Sequence, residues 1–572
     1  MKTTILGTVS LAALLLATTP AFAASNKTTI TQIGGTVNAA TADQTGESSD
    51  GVVNITQGNA SSTDKNNVAT ATQTGAANTA TINQTGAFLA AAHDNTGTVT
   101  QTGSGNQATV TQASVFLVEA AQNDASKVQQ DGTNGVVKTT QSGDTNSATV
   151  NQQNFTLGAH ATVTQTVGNN KATVSQQYVY SANNTSATVN QVLGATWNTA
   201  TINQSDRGTS ATGNTALIDQ TVFSTHNTAG IDQGGSHSTA HILQTAATTS
   251  DADIEQLGTT GGEATVTQTG TSNHALDYSR GTGAAVADMN QNGSNNLAWL
   301  EQEGDADSSK IDQSRLGGFG AVSNNTAIVY QTGSNDVSTI AQSGNNDSSG
   351  KLWDQASGIT QSGARDHSAL TQSGNLDAAS ATQSGNDDSE TIKQSGLNDA
   401  SAVLQSGNGD VATTTQSNTN DWATVHQSGG LDSSTITQTG MHDGDSNPNG
   451  AGVTSTSVYQ SGDSETSLLT QSGDYDDAFV VQSGNGDQST VSQSGTNVGA
   501  LVQQSGSSNT SGITQSGSLN YASVAQSGSG ETSTVLQTLG ASNQALVTQA
   551  GLGAVSLVTQ TGGSFNVATV KQ

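Results

Sequence analysis

The sequence predicts an all-β chain: a β-solenoid of stacked strand–turn–strand arches, cross-β-like, with about 11 residues per half-rung and about 22 per rung. Three observations predict it. Glutamine recurs every eleven residues through the second half of the chain. The residues ahead of each glutamine alternate with period two. Apolar residues without glycine are 32% and aromatics only 3% of the 572 residues. A thick interlocking core is not available to such a chain. Plain disorder would fit that composition, but it has no fixed period.

The chain starts with a leader-like segment. Lys2 is the basic start, Ile5 to Leu16 a short apolar core, and Ala21-Phe22-Ala23 a small-residue cleavage site. This pattern predicts a signal peptide over 1–23, cut near Ala23/Ala24, and an extracellular product. The apolar core is too short to span a bilayer, and no later stretch is long enough for an integral membrane segment. There is no cysteine, so loops are not closed by disulfides. Pro20 and Pro448 are the two prolines, so backbone ladders meet almost no block. The net charge of −30 repels nucleic acid and anionic membranes and favours cations.

Residues 24–330 read as irregular repeats with longer loops. "NTATINQTG" (Asn78–Gly86) and "NQATVTQ" (Asn106–Gln112) show the strand, and the spacing drifts. Stretches such as Ala87–Gly97 and Ala113–Asp124 are expected to loop out or to lengthen arches.

Residues 331–572 read as a regular solenoid of eleven-residue half-repeats. Gln361, Gln372, Gln383, Gln394, Gln405, Gln416, Gln427 and Gln438 keep one step. Asn449 takes the next slot, and Gln460, Gln471, Gln482, Gln493, Gln504, Gln515, Gln526 and Gln537 resume it. The unit is [ND]-x-[AS]-x-[VILT]-x-Q-[ST]-G-x-x. Its first seven positions make a strand with Asx, a small residue, an aliphatic residue and Gln on one face. The tail is turn chemistry, with Gly expected to supply positive φ. The break at 441–453 keeps the frame and is expected to widen one turn.

One such strand cannot stand alone. Two units facing each other form an arch, and stacked arches put residues 22 apart about 4.8 Å from each other. Glutamines then pair amide to amide in two structural ladders.

The aspartates six residues ahead of the glutamines follow the same geometry. Asp366, Asp388, Asp410 and Asp432 are expected in one ladder, and Asp377, Asp399, Asp421 and Asp443 in the other. Like charges about 4.8 Å apart repel by roughly 0.9 kcal/mol in water and about 3.5 kcal/mol at an effective dielectric of 20. The first expectation is that they stay hydrated at the turn mouth. The alternative is that they bind Ca²⁺ or protons, a cation or proton ladder. The G-G-x-G-x-D calcium repeat is absent, and no metal ligand set is assigned.

No catalytic residue is expected. His367 and His426 fall at outward strand positions, and Trp197, Trp299, Trp353 and Trp422 share no repeat position. The acids and bases of a polysaccharide-acting β-helix enzyme would cluster on one outer face, and the sequence shows no such cluster.

The chain resembles the curlin-repeat family, S-x5-Q-x-G-x4-N-x-A-x3-Q in rough form. "NYASVAQSG" (Asn520–Gly528), "NQALVTQ" (Asn543–Gln549) and "NVATVKQ" (Asn566–Gln572) follow its second half, and "SSTITQTG" (Ser433–Gly440) is similar to the first. The resemblance runs from about Thr31 to Gln572. It implies a curli-type functional amyloid subunit: export through an outer-membrane curlin secretion pore, assembly on a nucleator, and self-association into surface fibres for adhesion and biofilm matrix. The chain is far longer than the usual five-repeat subunit, and Asp often stands where the family has Ser or Asn. A monomeric β-solenoid surface adhesin is the alternative reading.

Overall fold

The structure is a computed structural model. It describes residues 2–7, 25–33, 37–44, 50–58, 64–86, 92–113, 123–177, 185–205, 213–258, 260–280, 283–314, 322–345, 347–349, 351–352, 355–356, 358–444 and 456–572. Every regular element among them is a strand. The chain divides into two compact units, Met1–Gln291 and Asn292–Gln572.

In the first unit, from Lys27–Gln32 onward, each strand pairs not with its sequence neighbour but with the strand after it. Thr79–Thr85 lies parallel to Gln107–Ala113, with Ala80 opposite Ala108 and Gln84 opposite Gln112. The intervening strand Thr96–Ser104 pairs instead with Val68–Thr74 and Ala125–Thr133. The chain therefore alternates between two walls of parallel strands, and each rung takes one strand from each wall. Rung length varies here, because the step from Gln130 to Gln152 is 22 residues while that from Gln112 to Gln141 is 29. The extra residues fall between strands. Residues 87–91 and 114–122, where loops were expected, lie outside the described residues. So do residues 8–24 of the expected leader, while Lys2–Gly7 lies parallel to Lys27–Gln32.

The second unit repeats the plan with a tighter step. His367–Gln372, Ser389–Gln394, Val411–Gln416 and Ser433–Gln438 form one wall, each 22 residues from the next. Ala378–Gln383, Ala400–Gln405 and Trp422–Gln427 form the other. Inward positions are buried and outward ones are not, as in Trp422–Gln427, where Ala423, Val425 and Gln427 face the interior. One small and one aliphatic residue per strand fill the core. At about 25 cal/mol per Å² such a thin layer holds the walls together only in sum with the backbone ladders.

Two details differ from the sequence expectation. The glycine of Q-S-G is not the left-handed residue at regular corners such as Gly385 and Gly396. The residue just before the Asx is, with φ of 59° at Asp387, 61° at Asn398 and 59° at Leu431. Glycine is required for a different reason. A Cβ on Gly385 would sit 1.5 Å from the carbonyl oxygen of Gly407 on the next rung. Second, the ladders change partners at the 441–453 break. Gln427 meets Gln460 and Gln438 meets Gln471, each 33 residues on. The stack continues across the break with a step one half-repeat longer, and residues 445–455 lie outside the described residues.

Candidate functional site

The glutamines line the interior where strands end. Gln383 donates to Gln405 at 2.9 Å, Gln405 to Gln427 at 3.0 Å, Gln460 to Gln482 at 2.9 Å and Gln482 to Gln504 at 2.9 Å. On the other wall Gln372 donates to Gln394 at 3.0 Å, Gln394 to Gln416 at 2.9 Å and Gln416 to Gln438 at 2.9 Å. The series continues through Gln471, Gln493, Gln515 and Gln537, and through Gln504 and Gln526. Gln361 joins it by donating to Gln383 at 2.8 Å. Nearly every Nε2 has a second acceptor, which sequence reasoning missed. It reaches across the interior to a backbone carbonyl of the facing wall, as Gln416 does to Ala400 O at 2.9 Å and Gln427 to Val411 O at 3.1 Å. Both amide hydrogens are thus used, one between rungs and one between walls.

The structure brings the eight sequence-selected aspartates into two ladders. Asp388 N donates to Asp366 Oδ1 at 3.1 Å, Asp410 N to Asp388 Oδ1 at 3.0 Å and Asp432 N to Asp410 Oδ1 at 3.0 Å. Opposite, Asp399 N donates to Asp377 Oδ1, Asp421 N to Asp399 Oδ1 and Asp443 N to Asp421 Oδ1, each at 3.2 Å. The ladders run further than those eight residues. Asp307, Asp336 and Glu465 extend the first, and Asp347 and Asp476 the second. The spacing of six residues ahead of a strand-ending glutamine marks Asp336 and Asp476 too, before Gln342 and Gln482.

These aspartates are not hydrated at a turn mouth. All eight are at most 1% exposed, because the corner folds over them and each side chain stands in for a turn hydrogen bond to the next rung. Burial raises their pKa values against the pull of the backbone N–H groups. Asp366, Asp388, Asp399 and Asp432 are pushed up to about 6, Asp421 to about 7, Asp377 to about 8 and Asp443 to about 9. Asp410 is raised by the same cause. Glu390, which replaces a small core residue, is fully buried and pushed up to about 8.

The remaining candidates do not converge. His367 is outward and exposed, and His426 packs edge-on to Tyr459 with ring centroids 5.8 Å apart. Trp197 stacks on His226 at an exposed corner, Trp299 is outward, and Trp353 lies outside the described residues. Among the described residues no three His, Cys, Asp or Glu side chains are grouped as metal ligands. No protein-family model matches the chain, and no curated protein matches it.

Proposed function

We propose that this is a secreted structural protein that self-assembles into curli-type amyloid fibres for adhesion and biofilm matrix, with no enzymatic role. The observation that carries the reading is the in-register parallel stacking of near-identical rungs. Ser389–Gln394, Val411–Gln416 and Ser433–Gln438 present on one edge the donors and acceptors that their neighbours present on the other. A rung with that property can template another rung, in its own chain or in a second copy. The leader-like start and the curlin resemblance support export to the cell surface through a secretion pore and assembly on a nucleator.

Electron microscopy and fibre diffraction of the purified chain without residues 1–23 test this. Unbranched fibres with a reflection near about 4.8 Å along the axis are expected. A soluble elongated monomer that stays monomeric overturns fibre formation and leaves the adhesin reading. One feature favours that second reading: Asn398, Asn420, His442 and Tyr475 form a continuous row along one corner. Asn398 Nδ2 donates to Asn420 Oδ1 at 2.6 Å, and the His442 and Tyr475 rings stack at 4.7 Å.

A further inference from the structure

Most ladder aspartates use one carboxyl oxygen and leave the other without a hydrogen-bond partner; Asp443 is the exception, its Oδ2 accepting from Gly440 N at 3.2 Å. Oδ2 of Asp366, Asp388, Asp410 and Asp432, and of Asp399 and Asp421 opposite, is buried in this state. An unsatisfied buried anionic oxygen is costly, and here it recurs rung after rung.

The same register position holds asparagine elsewhere, and at several of these corners the second atom is satisfied, although Nδ2 of Asn38 and Asn543 is not. Asn509 Nδ2 donates to Gly528 O at 3.2 Å, and Asn325 Nδ2 to Gly344 O at 3.1 Å. In the first unit Asn78 and Asn106 donate to Gly103 O and Gly132 O at 3.0 Å each. For Asn509 the acceptor is the glycine nineteen residues on. For Asp388 that glycine is Gly407. The two corners superpose in their crowding. Gly528 O and Asn509 Nδ2 lie 1.6 and 3.0 Å from a Cβ placed on Gly506, and Gly407 O and Asp388 Oδ2 lie 1.5 and 2.6 Å from one placed on Gly385. Asp388 therefore directs an oxygen where asparagine directs an N–H. Ionised, that oxygen sets lone pairs against a carbonyl. Protonated, it donates to it.

We propose that the ladder aspartates are proton-binding sites, held in the ordered protein as neutral acids that mimic asparagine. Oδ1 accepts the backbone N–H of the next rung, Oδ2–H donates to the corner carbonyl of that rung (Gly407 for Asp388, Asn418 for Asp399), and the chain takes up protons from water as it orders. The inference concerns ordering of the chain and does not rest on fibre formation.

The charged surroundings act in the same direction, against the pull of backbone N–H groups such as those of Asp410 and Gly385 on Asp388. Asp388 faces Asp366 and Asp410 along its ladder, and Asp366 also faces Asp336 and the exposed Asp387. Asp432 faces Asp410, Asp463 and Glu465. On the other wall Asp377 faces Asp347 and Asp399, Asp421 faces Asp399 and Asp474, and Asp443 faces Asp421 and Asp476. Arg365 interacts with Asp366 but is held by Asp387 at 2.6 Å. The raised pKa values agree with this setting. Because the folded values lie above the unfolded value of about 3.9, the stabilisation is complete below about pH 4 and is lost as pH rises through the folded values.

The test compares the full purified chain with a variant carrying Asp388→Asn, Asp399→Asn, Asp410→Asn and Asp421→Asn. Denaturant unfolding between about pH 5 and 7 should show the folding constant of the parent falling by more than about tenfold per pH unit, one factor of ten for each proton linked. The variant should show a shallower slope and greater stability at neutral pH. Equal slopes, or a variant less stable at neutral pH, overturn the proposal. Stabilisation of the parent at neutral pH by calcium, reversed by chelator and absent in the variant, also overturns it, since the ligand is then a cation. Infrared spectra give a readout that needs no unfolding. The ordered parent near pH 7 should show the neutral-carboxyl stretch, reduced in the variant, and its absence from the parent overturns the proposal.

Discussion

Gln416 donates to Gln438 Oε1 at 2.9 Å and, through the same nitrogen, to Ala400 O of the facing wall at 2.9 Å. One buried amide thus joins two rungs and two walls. In a core with one small and one aliphatic residue per strand, this replaces much of what side-chain volume does in other proteins.

Truncating an interior glutamine should therefore cost more than its apolar area suggests. Gln427→Ala leaves the Gln405 amide and the Val411 carbonyl without the partners they now have. A loss of about 2–4 kcal/mol in denaturant unfolding is expected, from about 1–3 kcal/mol for each buried group left unsatisfied. Charged replacements at Gln405, Gln427 and Gln471 together should abolish strand content by circular dichroism. Unchanged content would contradict the inward placement.

Glycines at the corners divide by mechanism. Gly385→Ala drives a methyl into Gly407 O and should destabilise strongly, by more than about 3 kcal/mol, since backbone must move. A Cβ on Gly551 meets nothing within 4 Å, so Gly551→Ala should fall within about 0.5 kcal/mol of the parent. The comparison is made by thermal unfolding of the two variants side by side.

Leu431 is exposed and holds φ at 59°, an unfavourable conformation for a leucine. Gly409 occupies the same position one rung earlier at φ 73°. Leu431→Gly should stabilise by about 0.5–1 kcal/mol, the cost of the left-handed region outweighing the entropy that glycine adds to the unfolded chain. A fall in the unfolding midpoint would show that the leucine side chain packs more than its exposure indicates.

Glu390 stands between Ser368 and Ala412 in the ladder of small core residues. Its folded pKa is raised to about 8 by burial. A raised acid stabilises the fold only while protonated, so its contribution is lost as pH rises toward and through about 8. Glu390→Ala should be more stable than the parent at about pH 9, with the difference shrinking toward about pH 5. Chemical denaturation at the two pH values checks this.

The arches and glutamine ladders were legible because an eleven-residue step and a period of two fix which residues share a face. The same step selected Asp366 to Asp443 for stacking. It did not show that the corner closes over them, because burial at a corner depends on how the next rung's backbone folds across it. The corner itself was misread at its glycines. Sequence preference assigns positive φ to Gly385, whereas close approach of Gly407 O sets that glycine and the neighbouring Asp387 takes the left-handed turn. The partner change from Gln427 to Gln460 was also illegible, since a step one half-repeat longer leaves the glutamine frame unchanged.

The central claim is that in the regular stretch residues 22 apart lie directly over one another on one wall, while the neighbouring half-repeat lies reversed on the facing wall, where Gln427 meets the carbonyl of Val411. The chain has no cysteine of its own, so introduced pairs report without background. Thr413 and Thr435 are register partners on one wall, and Thr424 lies on the other. Paired strands place Cα atoms about 4.8 Å apart, within disulfide reach. Under dilute oxidation Thr413→Cys with Thr435→Cys should form an intramolecular disulfide, and Thr413→Cys with Thr424→Cys should not. Cross-linking of the second pair in preference to the first would contradict the account.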